Sequence, residues 1–353
     1  MIIRKIFSLA TSIISLFIFI LFINTNSISD ENNIKYYSGD EGILSLMYHR
    51  FNENKYPSTN IQMDVFKAQM EITKNSSYTF SNPKNFEENF TTPKKNKEIL
   101  ITIDDAFLSF YLEAWPYIKK NKIPFILFVS TEPVGKKGYM TWEQIKEVEA
   151  EEFAVIGHHS HSHGYLIDKD NDFFISDIEK ANEIFLKNLG YIPNLFSYPF
   201  GEYSKFMRDY ISQNFDYAFG QHSGVIDLNK DKFELPRFPI NEDYGELERF
   251  SSIINSFPLE YEQLLPLQKK LSMENNPPNF QVKFFSEQAN LDYINCYSNE
   301  LDIWERSNIN LNKNILTIKF RGPFIPRRGR INCSLNDNGK WRWFGVQFPI
   351  KKN

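Results

Sequence analysis

The stretch "VIGHHSHSHGYL" at 155–166 holds four of the chain's six histidines, His158, His159, His161 and His163. Imidazoles concentrated in this way behind an apolar run suit a metal site better than scattered surface or core positions do. His159 and His163 are four positions apart. If the chain turns helically after the apolar run, both rings point the same way. Two imidazoles and one carboxylate supply three protein ligands and leave a position for water, as in catalytic rather than structural sites. The natural carboxylate is in "ILITIDDAF", where Asp104 and Asp105 also end an apolar run. One can bind the cation while the other holds and deprotonates a water. The implied chemistry is metal-assisted hydrolysis. His158 and His161 alternate away from the pair and are expected in a supporting or solvent-exposed role.

Residues so far apart need a scaffold that brings them together. From residue 42 onward short apolar runs recur, and each ends in polar groups: "GILSLMYH", "EILITIDD", "PFILFVST", "FAVIGHHSHSH", "NLFSYPFG", "DYAFGQHSG" and "LPRFPINED". Runs of this length rich in Ile, Leu, Val and Phe read as buried strands. Helical spacing of apolar residues lies between several of them, at 109–121, 141–150, 177–189 and 204–215. Thr141 with Gln144 three positions on has the spacing of a capping box. Alternating strands and helices predict a mostly parallel sheet, whose functional groups gather at the C-terminal strand ends. A barrel or partial barrel fits the number of units better than a flat sheet.

On these residues the chain resembles the polysaccharide deacetylases, also called carbohydrate esterase family 4 or the NodB-homology domain. "TIDDAF", "HSHSH" and "FSYPFGEY" are similar to the first three family motifs, and the resemblance covers about residues 42–250. It implies a distorted (β/α) barrel, with Asp104 as catalytic base and Asp105, His159 and His163 as ligands of one divalent metal ion. Zn²⁺ is the first choice, and Co²⁺, Ni²⁺ or Fe²⁺ suit the same donors. It also implies that Tyr198, Pro199 and Phe200 sit at the substrate or support it, with a backbone N–H near Pro199 facing the developing oxyanion. The chain departs from the pattern in three places. Ala106 stands where the family has Gly after the Asp pair, a change expected to be tolerated. The third motif lacks its Arg, so Arg237 in "LPRFP" is expected to partner the base. No "L-x-H" occurs late in the domain, whereas "LMYH" opens it. That is similar to the circularly permuted subgroup of poly-N-acetylglucosamine deacetylases, and it implies His49 as the catalytic acid. His222 in "FGQHSG" is the competing histidine, expected rather as a substrate contact. The implied substrate is an N-acetylated glycan. O-acetyl ester hydrolysis and non-catalytic glycan binding on the same scaffold are the alternatives.

The rest of the chain sets the context. Net charge is −4 and pI about 6.0, with no long basic stripe, so a nucleic-acid partner is not expected. Arg327, Arg328 and Arg330 read as a solvated loop. At the N-terminus Arg4 and Lys5 precede an apolar run over 6–23, a signal peptide or membrane anchor over 1–29. The remainder is then exported, periplasmic or on the outer face of the inner membrane, and touches the membrane only through this segment. Domain boundaries are expected at 30–262 for the catalytic domain, 263–278 for a Pro-containing linker and 279–353 for a small antiparallel β-sandwich with a hairpin near Asn338-Gly339. That domain is expected to contact glycan or protein. Its Trp304, Trp341 and Trp343 read as core or edge packing, with a sugar-facing role left open. The chain's two cysteines, Cys296 and Cys333, are candidates for a disulfide.

Overall fold

The computed structural model describes residues 42–91, 97–227, 230–286 and 288–351; the expected signal or anchor segment lies outside them. Among the described residues no helix is long and apolar enough to cross a membrane. The parallel core consists of β1 (Ile43–Tyr48), β2 (Glu98–Asp104), β3 (Phe125–Val129), β4 (Ala154–His158), β5 (Leu195–Ser197), β6 (Tyr217–Phe219) and β7 (Phe238–Pro239). Their spatial order is β7-β1-β2-β3-β4-β5-β6, and all neighbouring pairs are parallel. The last strand in the chain thus lies beside the first. Residues leading into β7 also bond back to β6, through Leu235 N–H to the Ala218 carbonyl and Gly220 N–H to the Leu235 carbonyl. Ile240 N–H then donates to the Met47 carbonyl of β1. One short segment therefore closes the sheet into a barrel.

Both faces of these strands are buried, which is why they read as continuous apolar runs. Alternation still assigns the faces. In β2, Ile99, Ile101 and Ile103 pack into the outer layer, while Leu100 belongs to the interior cluster with Ile126, Phe128 and Phe219. Helices cover the outside: α1 (Met63–Lys74), α2 (Trp115–Asn121), α3 (Trp142–Glu149), α4 (Asn171–Leu189), α5 (Lys205–Asn214) and α6 (Leu247–Ile254). The Thr141–Gln144 capping box forms as its spacing predicts. Two helices differ from expectation. α4 starts at Asn171 because the Asp170 side chain accepts the N–H of Phe173 and caps it there. The helix expected over 109–121 begins as a π-helical turn at Phe110–Ala114. Pro116 has no N–H to give and its ring crowds the carbonyl four residues back, so the first turn widens.

The C-terminal part is a two-sheet sandwich. One sheet runs β8-β16-β15-β11-β12, from β8 (Ser256–Pro258), β11 (Asn295–Ser298), β12 (Glu305–Arg306), β15 (Arg328–Asp337) and β16 (Lys340–Pro349). The other runs β9-β10-β14-β13, from β9 (Gln263–Leu265), β10 (Gln281–Lys283), β13 (Asn308–Asn312) and β14 (Ile315–Lys319). The hairpin turn at Asn338-Gly339 has φ of 53° and 90°, the left-handed pair such a turn needs. Cys296 and Cys333 face each other across β11 and β15 and are bonded. The expected boundaries shift. Residues 263–278 are not a linker: β9 lies within them, and Leu264 and Leu271 are buried in the sandwich core. β8, expected in the catalytic domain, is an edge strand of the sandwich. Prolines suggested a loose connection, but the alternate apolar residues between them found a core. The arginine cluster is no solvated loop either, since β15 starts at Arg328.

Candidate active site

Strand alternation delivers the key side chains to the barrel's C-terminal rim. On β2, Thr102 and Asp104 follow Leu100 on the inward face, and Asp104 is fully buried. Arg237 meets it from the segment that closes the barrel. Nη1 donates to Asp104 Oδ1 at 2.7 Å and Nη2 to Oδ2 at 2.8 Å. The other donors reach Thr102 Oγ1 at 3.0 Å, Ser197 Oγ at 2.8 Å and the Gly220 carbonyl at 2.9 Å. The guanidinium's whole donor set is used, and the base candidate is gripped bidentately. Burial would raise the Asp104 carboxyl, but Arg237 outweighs it and holds the pKa below the usual carboxylate range. His49 follows β1, and its Nε2 lies 3.9 Å from Asp104 Oδ2. Behind it, Tyr48 donates to Gln69 Oε1 at 2.9 Å and pins the strand end. Burial lowers the His49 pKa, while Asp104 and Asp105 oppose that shift.

Asp105, His159 and His163 come together, their ligand atoms all within 4.8 Å of one another. Asp105 Oδ1 is 3.0 Å from His163 Nε2 and 3.5 Å from His159 Nε2. The convergence is not helical. Residues 159–163 form a bend, with Ser160 at φ 69° and His163 at φ 50°. Asp105, Ala106 and Phe200 also take left-handed φ of 76°, 52° and 59°. Such conformations cost roughly 1–3 kcal/mol each in residues with a Cβ and persist only where surroundings impose them. Here the surroundings do. The Asp177 carboxylate accepts the N–H of His161 at 2.9 Å and of Ser162 at 3.1 Å. Ser160 Oγ accepts from His163 N–H at 3.2 Å, and Ser130 Oγ donates to the His159 carbonyl at 2.7 Å. Asp177 was missed at the sequence level. Its signal was an acidic residue on the apolar stripe with Ile178, Ala181 and Phe185, and it is indeed buried there.

The donor set fits a cation. His159 Nδ1 lies 2.7 Å from the Ser197 carbonyl. A carbonyl only accepts, so Nδ1 carries the hydrogen and Nε2 presents a lone pair toward Asp105. Asp105 Oδ1 and His159 Nε2 are buried with no properly directed hydrogen bond. Orphaned acceptors facing each other are costly unless something positive sits between them. Burial, aided by His163 and opposed by Asp104 and Asp105, pushes His159 down to about 4, which keeps it neutral as a ligand must be. At His163 burial opposes the charge, but Asp105 wins and raises the imidazole. Burial also opposes the Asp105 charge, and His163 and its neighbours hold the carboxyl far below the usual range. Purified protein should carry about one divalent ion per chain by elemental analysis, and the His159→Ala/His163→Ala double variant should carry none. Stoichiometric metal in the double variant would move the site elsewhere; His158→Ala should keep the ion.

Other expected residues go elsewhere. His158 sits on β4 with its side chain in the outer layer, against Phe185, Phe196 and Phe215. His161 bonds Thr131 Oγ1 at 2.8 Å. Both are buried, not exposed. Tyr198 does not face substrate: Ser197 points inward, so the next residue points outward, into a cluster with Phe196 and Tyr203. Pro199 is buried beside it. Phe200 does reach the site, its ring 4.7 Å from that of His163 and stacked at 4.3 Å on Tyr165. His222 lies at the seam of barrel and sandwich, lining both a cavity of about 440 Å³ and a cleft of about 480 Å³ shared with Met47 and Arg330, with Lys269 and Arg237 as the charges that bear on it. The sandwich also grips the Phe200 loop. Gln347 Nε2 donates to the Phe200 and Gly201 carbonyls at 3.0 Å each. Glu202 pairs with Arg327 and Arg328 at 2.8 Å each.

Residues 91–218 match the family described as polysaccharide deacetylase. The putative polysaccharide deacetylase YxkH of Bacillus subtilis is 28% identical over 162 residues, 45% of this chain and 57% of that protein. The chain therefore spans little more than half the length of this relative. The poly-beta-1,6-N-acetyl-D-glucosamine N-deacetylase of Staphylococcus aureus is 22% identical over 238 residues, 59% of this chain and 81% of that one. Among solved structures, IcaB from Ammonifex degensii superposes with a TM-score of 0.53 at 26% identity, covering 60% of this chain and 97% of that one. The Streptococcus pyogenes deacetylase PplD shares the fold, with a TM-score of 0.52 at 21% identity, covering 57% and 94%.

Proposed function

We propose that the chain, whose residues 91–218 match the polysaccharide deacetylase family, is a member of it and hydrolyses the N-acetyl group of an amino-sugar polymer. The carrying observation is the Arg237-locked Asp104 carboxylate beside the unpartnered Asp105 Oδ1 and His159 Nε2. A divalent cation held by Asp105, His159 and His163, Zn²⁺ first and Co²⁺, Ni²⁺ or Fe²⁺ by the same donors, would polarise the acetyl carbonyl and acidify a water. Asp104, ionised by Arg237, takes a proton from that water as its oxygen attacks the carbonyl carbon. The N–H groups of Tyr198, Gly201 and Glu202 already bond the carbonyls of Phe219, Tyr198 and Pro199. That leaves the Phe200 amide as the oxyanion donor near Pro199. His49 gives its proton to the departing nitrogen, the C–N bond breaks, and acetate and a free amine leave. Arg237 is a positioning residue here, and Phe200 with Tyr165 offers a flat aromatic face beside His163.

We read the enzyme as exported, acting outside the inner membrane, with the sandwich contacting glycan or protein. Incubated with N-acetylglucosamine oligomers and with an O-acetylated glycan, purified protein should release acetate and an equal amount of free amine from the first. Acetate without amine, from the second substrate only, would reassign it as an esterase. Glycan binding with neither product from the metal-loaded protein would make it a binding protein and overturn the reading.

A further inference from the structure

The sandwich turns one polar sheet face toward the barrel rim. Along β15, Ile331, Cys333 and Leu335 point into the sandwich core, so alternation sends Arg328, Arg330, Asn332 and Ser334 the other way. Arg328 lies 5.3 Å over the Phe200 ring, which is itself packed on His163. Two residues along the strand, about 6.6 Å by strand rise, Arg330 enters a cleft of about 480 Å³. Met47 and Pro239, paired at the ends of β1 and β7, also line this cleft. Met47 precedes His49 by two positions, so the cleft reaches the strand end that carries the candidate acid.

Its chemistry is distinctive. Arg249 and Arg330 both line it. Arg249 donates to the Tyr244 carbonyl, and Arg330 Nε donates to Gln347 Oε1 at 3.3 Å. Among the described residues, neither guanidinium has a carboxylate within ion-pair distance, in contrast to Arg327 and Arg328 on Glu202. Burial works against the charge of both, yet arginine stays protonated. Two half-buried positive forks, neither of them in a direct ion pair, call for an anion. Around them stand three rings left 44–48% exposed, Tyr244, Tyr297 and Trp304. Such rings offer stacking faces to the apolar side of a saccharide.

We propose that this cleft binds the saccharide units flanking the scissile N-acetyl group of an acidic amino-sugar polymer. Arg249 and Arg330 hold its carboxylate or phosphate groups, and Tyr297 and Trp304 stack on its rings. The proposal rests on the deacetylase reading and narrows that substrate class to anionic glycans.

Calorimetric titration of the full chain tests it, in the His163→Ala background so that binding is read without turnover. The probes are chitohexaose (neutral), a hyaluronan hexasaccharide (carboxylate-bearing) and a glycerol phosphate hexamer (phosphate-bearing). At least one anionic probe should bind about tenfold or more tightly than chitohexaose, and which one does so tells carboxylate from phosphate. Arg330→Gln and Arg249→Gln should each remove about tenfold of that preference, the usual worth of a charged hydrogen bond. Trp304→Ala, at an exposed position, should weaken the anionic hexasaccharide and chitohexaose alike. Equal affinity for neutral and anionic probes, or a preference unchanged in both arginine variants, overturns the proposal. Acetate release by the unmutated chain is measured separately. Turnover that favours neutral oligomers sinks the cleft assignment and spares the deacetylase reading. Anionic binding without any turnover sinks that reading and keeps the cleft.

Discussion

His49→Ala should keep its metal and near-normal substrate affinity yet lose about 10²–10⁴ in kcat, the usual worth of a positioned acid. His49 Nε2 is 3.9 Å from Asp104 Oδ2 and belongs to none of the cation donors. A general acid works in its protonated form, so activity falls as pH rises through its pKa. That alkaline limb should vanish in the variant. His222 lines the seam of barrel and sandwich, including the cleft that holds Arg330, and touches none of the reacting groups, so His222→Ala should shift substrate affinity while kcat changes by only a few-fold. Steady-state kinetics across pH on both variants decides the matter. If His222→Ala collapses kcat while His49→Ala stays near wild type, the acid is His222, and the reading of the first strand as the acid's carrier falls with it.

Arg237→Gln should be the most destabilising change at the site, by about 3–5 kcal/mol, because it leaves the Asp104 charge buried without its partner. The pH dependence gives the test a sign. Arg237 holds Asp104 below its unfolded value. Its stabilising contribution is therefore complete above the unfolded carboxyl pKa, about 3.9, and is lost as pH falls through the lower folded value. Without Arg237, burial raises the carboxyl instead, and acid neutralises the uncompensated charge. The stability gap between wild type and variant should thus be widest near neutrality and narrow on acidification. For the same reason the acidic limb of kcat/KM should move to higher pH. Arg237→Lys should rescue only partly, since an ammonium cannot reproduce the fork on two carboxylate oxygens. Denaturant melts at several pH values check this. A gap that does not change with pH would show that Arg237 acts through packing and not through Asp104.

Much of this was legible without coordinates, for reasons that are local. A strand buried on both faces must be apolar along its length, so "EILITIDD" and "FAVIGHHSHSH" announce both the strands and the polar groups at their ends. Cap chemistry acts within one turn, and Thr141 with Gln144 starts α3 as its spacing says. Period two by itself separates His158 from His159; the burial of His158 and the outward turn of Tyr198, expected at the substrate, needed the outer layer of helices to be seen. The candidate motifs could likewise be paired from sequence, because each sits at the end of a predicted strand.

What tertiary structure decided depends on contacts between distant residues. Barrel closure places Arg237 on Asp104, 133 positions away in the chain, and no periodicity reports that distance. The His159–His163 convergence looked helical, but it is a strained bend held by Asp177, Ser160 and Ser130; left-handed φ in residues with a Cβ leaves no compositional trace. Residues 263–278 read as a linker because prolines dominate a local view, whereas Leu264 and Leu271 only find their core once the second sheet is present. The arginine cluster read as solvated because its partner, Glu202, lies 125 positions earlier than Arg327. Local sequence determined the elements and the residues at their ends; side-chain partners, and so the charge state and geometry of the site, exist only once the barrel has closed and the sandwich has packed on its rim.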